Sequence, residues 1–113
     1  QEEAPAPTYT PTVEIEDESG SGLVTERMKE YVGMLESDFK DAGYTVTRAM
    51  VPAGKTREID IYLDGRNEFY KTNLDRGTGV TVEDAVRMIK YLDEQGISPS
   101  YVDVRVAGKA YFR

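Results

Sequence analysis

The 113-residue chain contains no cysteine and no histidine. Without cysteine it has no disulfide, no thiolate metal site and no thiol nucleophile. Without histidine it lacks the usual general base, the commonest zinc ligand and every Ser-His-Asp arrangement. No apolar run approaches the roughly 18–20 residues needed to span a bilayer, and no signal-peptide pattern is visible. Basic residues are missing from residues 1–20, which hold the acids Glu2, Glu3, Glu14, Glu16, Asp17 and Glu18. That stretch carries most of the net charge of −7, so the remainder is nearly neutral and a nucleic-acid footprint is not expected. The length suits one domain with one two-layer core.

Residues 1–22 combine Pro5, Pro7, Pro11, the acids and Ser19-Gly20-Ser21-Gly22. They hold too few apolar residues to offset the entropy of ordering them, so they read as a flexible acidic linker. The acids of Glu14 to Glu18 lack the spaced Asp/Asn ligands and following Glu of a calcium loop, and no metal site is expected there. Because the chain opens on Gln1 rather than Met, it reads as a fragment or a processed form, which leaves room for a targeting or membrane segment upstream.

From residue 23 onward the pattern is that of a folded domain. Met28, Val32, Leu35, Phe39 and Ala42 recur at spacings of four and three, one face of a helix that Gly43 can end. Tyr44 to Val51 reads as a strand, Pro52 to Lys55 as a turn, and Arg57 to Leu63 as a second strand with Ile59, Ile61 and Leu63 inward. Asp64-Gly65-Arg66 makes a hairpin into a third strand, Glu68 to Leu74, with Tyr70, Thr72 and Leu74 facing the same way as Ile59 and Ile61. Tyr62 and Phe69 then fall on the outer face. Thr81 to Asp84 has the form of a capping box, opening a helix that buries Val82, Ala85, Val86, Ile89 and Leu92 and stops at Gly96. Tyr101 to Val106 alternates with Val102, Val104 and Val106 on one face; Ala107-Gly108 can turn the chain, and Lys109 to Arg113 reads as a last strand. The expected fold is α+β: a mostly antiparallel five-stranded sheet in the order α-β-β-β-α-β-β, with both amphipathic helices on one face.

Motifs that carry chemistry are incomplete. Ala49 to Thr56 nearly matches a phosphate-binding loop, but a strand, not a helix, follows Lys55-Thr56, so no helix N-terminus meets a phosphate. Gly77-Thr78-Gly79 is half of a dinucleotide fingerprint and lacks a parallel βαβ unit around it. A nucleotide- or small-ligand-binding domain using residues 49–56 or 75–80 is the alternative reading. Glu58, Asp60 and Asp64 share one solvated strand face, and none of the five serines sits on a nucleophile turn. The residues point to no catalytic group and no cofactor. A terminal strand, by contrast, is either paired on both sides or left as an edge to which another chain can add. Exposed aromatics near such an edge, as in Tyr111-Phe112, suit an interface. Asp103 and Arg105, two residues apart on the outward side, would fix the geometry of the terminal hairpin or contact a partner.

Three stretches carry a family resemblance: Glu58-Ile59-Asp60-Ile61-Tyr62-Leu63-Asp64-Gly65, then Thr72-Asn73-Leu74-Asp75-Arg76-Gly77, then Tyr101-Val102-Asp103-Val104-Arg105 after an amphipathic helix. Over residues 23–113 the chain resembles the extracytoplasmic β domain of the bacterial cell-division proteins FtsQ/DivIB. The resemblance implies a non-catalytic divisome scaffold held at the outer side of the cytoplasmic membrane by an upstream transmembrane helix, with FtsB/FtsL-like partners. It also implies that a partner strand adds to the last strand, here Lys109, Ala110, Tyr111, Phe112 and Arg113, with Val106 and Ala107 at its base. Tyr101, Asp103 and Arg105 would support that hairpin.

Overall fold

The computed structural model describes residues 10–20, 24–106 and 109–113. Six strands and two helices follow one another as β1 (Ile15–Asp17), α1 (Glu26–Asp41), β2 (Val46–Val51), β3 (Glu58–Leu63), β4 (Phe69–Asn73), α2 (Thr78–Gln95), β5 (Tyr101–Val106) and β6 (Lys109–Phe112). The strands lie in sequence order across one sheet. The α+β class is as expected, but the sheet has six strands rather than five and is mixed rather than mostly antiparallel. β1 runs parallel to β2 and β4 parallel to β5, while the other neighbours are antiparallel. The second parallel pair follows from connectivity, since α2 carries the chain from the end of β4 back to the start of β5.

The extra strand comes from the stretch expected to be linker. Ile15 and Val13 pack against the core, Glu16 forms a bidentate pair with Arg48 (2.6 and 2.9 Å), and the Glu18 N–H donates to the Val51 carbonyl at 3.0 Å. Main-chain pairing along β2 supplies what the few apolar residues of this segment could not supply alone.

α1 starts at Thr25, whose hydroxyl accepts from the Met28 N–H at 3.1 Å, satisfying one of the four free donors of the first turn. Its face of Met28, Val32, Leu35 and Phe39 is at most 1% exposed. Ala42, expected on that face, is the exposed C-cap, because the helix has already ended there. α2 starts at Thr78, a turn earlier than the capping-box reading places it. Gly77 is its N-cap; Thr81 lies within the helix, fully buried, and its hydroxyl donates to the Gly77 carbonyl at 2.8 Å. A hydroxyl facing the core finds its partner on the preceding turn, so the cap motif is spent inside the helix.

The helices pack on one face of the sheet over Ala49, Val51, Ile59, Ile61, Tyr70, Val102 and Val104. The β3–β4 register pairs Ile61 with Tyr70 and Ile59 with Thr72, placing the buried set as the sequence predicts, with Leu74 8% exposed just beyond. The hairpin between them is tied down by charge. Arg66 donates to buried Glu68 (2.7 Å) and to Asp93 of α2 (2.9 Å), and the Tyr70 hydroxyl donates to Glu68. This clamp fixes β4, and hence the strand beyond it.

Candidate functional site

The terminal hairpin lies at one margin of the sheet. β5 is held from inside by Val102 and Val104, both fully buried, and by β4 along its parallel side. β6 pairs with β5 through Val102–Phe112, Asp103–Tyr111 and Val106–Lys109. Three steps on β5 match two on β6 between the last two pairs, so β5 carries a bulge there. The bulge breaks the period-two pattern. Val106 is therefore 53% exposed instead of buried with Val102 and Val104, a departure from the single-face expectation. The hairpin closes where the Arg113 N–H donates to the Tyr101 carbonyl (3.1 Å) and the Ser100 N–H to the Arg113 carbonyl (2.6 Å).

Among the described residues nothing pairs with the other side of β6. Since the Arg113 N–H points inward to β5, strand alternation directs the main-chain groups of Phe112 and Ala110 to the open side. The large apolar side chains that stay exposed among the described residues are Val80, Tyr91, Val106, Tyr111 and Phe112. Four of these five belong to the hairpin or touch it. Phe112 stacks on Tyr91 of α2 with ring centroids 6.3 Å apart, and Ala110 packs partly against the core. Tyr111 lies opposite Asp103 on the other face. Ala107 lies outside the described residues, and Lys109 enters only through its main chain in β6.

Tyr101, Asp103 and Arg105 share the outer face of β5. Tyr101 stacks on Phe69 (5.7 Å), which stacks on Tyr62 (5.4 Å), giving a cross-strand aromatic row with the Lys71 ammonium 4.1 Å above the Tyr101 ring. Arg105 grips Asp103 through Nε (2.9 Å), Nη2 (2.6 Å) and its own N–H (3.0 Å), and its Nη1 reaches Glu58 on β3 at 3.0 Å. Burial pushes the Asp103 carboxyl up, but the Arg105 guanidinium and N–H more than offset it and hold the group below the usual carboxylate range. The same Asp103 hydrogen bond raises Arg105 above its ordinary value. These charges are thus mutually engaged and brace three strands.

Two contributors are not evident from periodicity. Arg76, in the loop before α2, donates to the Val104 carbonyl at 2.8 Å and to buried Asp84 at 2.6 Å, fastening β5 to the helix layer. Its signal in the sequence is slight: a lone arginine before a glycine. Tyr91 lies outside the buried face of α2, 47% exposed, and meets Phe112 of the hairpin.

The two loops of the ligand-binding alternative differ in form. After the Pro52–Lys55 turn the chain enters β3, so residues 49–56 present no helix N-terminus. A cleft of about 330 Å³ does lie beside Gly77, lined by Arg27, Tyr31, Leu74, Asp75, Arg76 and Thr78 among others. Its arginines are already engaged: Arg27 with the Leu74 carbonyl and Asp75, Arg76 with Val104 and Asp84. No group of three or more metal-ligating side chains is suitably placed among the described residues, and no helix there is long and apolar enough to cross a membrane. Compared with known proteins, the chain matches no family model and no curated protein.

Proposed function

We propose that the chain is a non-catalytic interaction domain that takes a strand from a partner protein along β6. The observation that carries this reading is the coincidence of an open strand side with an exposed aromatic cluster. Ala110 and Phe112 turn main-chain donors and acceptors outward, and Tyr91, Val106, Tyr111 and Phe112 supply apolar surface on both sides of the seat. Strand addition draws affinity from the first and selectivity from the second. The bracing of β5 by Asp103, Arg105, Glu58 and Arg76 supports the same reading, since a rigid margin costs less to order on binding.

With the resemblance of residues 23–113 to FtsQ/DivIB, the reading becomes a divisome scaffold domain. It would face the outside of the cytoplasmic membrane below an upstream anchor, and its partner would be FtsB- or FtsL-like. The test is titration of the chain with a synthetic peptide spanning the strand segment of an FtsB-type protein, followed by amide NMR. Signals of residues 109–113 should shift or broaden. Ala110→Pro removes an outward N–H from an edge strand, where proline is tolerated, and should abolish the response while the fold persists. A response confined to the Gly77 cleft would overturn the proposal in favour of ligand binding there.

A further inference from the structure

At the opposite margin of the sheet, β1 is itself an added strand. It is three residues long, parallel to β2, and connected to α1 by a join that includes Ser19-Gly20-Ser21-Gly22. Beside the packing of Val13 and Ile15, its polar contacts are reached by solvent. Glu16 and Arg48 are each more than two-fifths exposed, the Glu18 carboxylate accepts from the Ala53 N–H at 2.8 Å, and the Thr12 N–H donates to Glu36 at 2.7 Å. Arg48 holds Glu16 below the usual carboxylate range through their hydrogen bonds. Every one of these partners lies beyond the join, on α1, β2 or the turn after β2. The same contacts are therefore available to the corresponding segment of a second copy.

We propose that the β2 edge is a strand-acceptor site for acidic extended segments, filled in cis by residues 12–18 and exchangeable with those of a second copy. Arg48 and the Ala53 N–H read carboxylates two residues apart, and the apolar Val13 and Ile15 fill the helix-side positions. Reciprocal exchange makes a closed two-fold dimer, because each copy gives and receives the same strand. The cis form has an effective concentration in the millimolar range through its short join, so the unaltered chain stays monomeric well below that. β6 lies at the far end of each sheet, so an exchanged pair leaves both terminal margins open. The inference does not rest on what binds there.

Charge reversal separates cis from trans. Glu16→Arg alone and Arg48→Glu alone each set like charges against one another within a single chain. In an equimolar mixture, exchange satisfies both seams. The substituted arginine of one chain meets the substituted glutamate of the other, and the unaltered Glu16 and Arg48 meet in the second seam. Light scattering should find at least about tenfold more dimer in the mixture than in either variant alone at equal total concentration, the factor expected for about 1.4 kcal/mol. Exchange of the Glu18 amide, which donates to the Val51 carbonyl, should be fast in each variant alone and slowed on mixing. Deleting Gly20, Ser21 and Gly22 in the unaltered chain strains the cis closure and should raise the dimer fraction independently. A mixture that stays monomeric up to about 1 mM, together with a monomeric deletion variant, would overturn the proposal.

Discussion

Asp60 sits in the middle of the sheet face that no helix covers, yet it is only 9% exposed. Its neighbours are Met50 on β2, Lys71 on β4, and Glu58 and Tyr62 along β3. Burial pushes its carboxyl up from the ordinary 3.8 to about 6; Lys71 and Arg105 pull it down, and Glu58 and Glu18 push it further up. At about 1.36 kcal/mol per pKa unit, ionising Asp60 costs about 3 kcal/mol more in the folded chain than in the unfolded one. Solvent reaching the open face screens part of this, leaving about 1–2 kcal/mol. The folded group holds its proton to higher pH than the unfolded one. The penalty is therefore absent below about pH 4, grows as pH rises towards 6, and is complete above it. Asp60→Asn removes the charge with little change of shape. Urea unfolding at several pH values should find the variant equal to the parent near pH 4 and about 1–2 kcal/mol more stable at pH 7.5. Groups common to both chains cancel in the difference. A variant less stable than the parent at pH 7.5 would refute the reasoning, because attraction to Lys71 and Arg105 would then exceed the cost of burial.

Thr25→Ala removes the α1 cap and should lower stability by about 1 kcal/mol, measured by thermal or urea unfolding. Glu68→Gln strips the charge from a carboxylate that is 3% exposed and serves both Arg66 and Tyr70. Arg66 keeps Asp93, so the expected loss is roughly 2–3 kcal/mol, with faster amide exchange in the β3–β4 hairpin. Phe39→Ala empties a fully buried site against Tyr70 and should cost about 3–5 kcal/mol. Phe112→Ser and Tyr91→Ser together should weaken partner binding at least about tenfold while lowering stability by less than the Phe39 change, since both rings are well exposed.

Local repetition along the chain was enough to place most elements. The four-and-three spacing of Met28, Val32, Leu35 and Phe39 and the alternation of Ile59, Ile61 and Leu63 each bury one side whatever lies opposite. The hairpin at Gly65, with φ of +77°, and the stop at Gly96, with φ of +67°, need a residue without a Cβ, and the sequence says so directly. The hairpin of β5 and β6 was legible for the same reason. Its surface was not: Tyr91 joins Phe112 only because α2 crosses β6, and Val106 is exposed only because of the bulge.

Contacts between distant residues decided the rest. Residues 15–17 have no periodic signal of their own, and they become a strand because Arg48 and the Val51 carbonyl, more than thirty residues away, wait at an uncovered edge. Thr81 resembles a cap until the core claims its side chain and the Gly77 carbonyl accepts its hydrogen bond. Asp60 looks like an ordinary surface acid until its cross-strand neighbours exclude water from it. The sequence by itself determined which faces avoid water, because that depends on neighbours three or four residues apart in a helix and two apart in a strand. Only the tertiary structure decided which edges stay open and which charges are buried, because those depend on which strands meet.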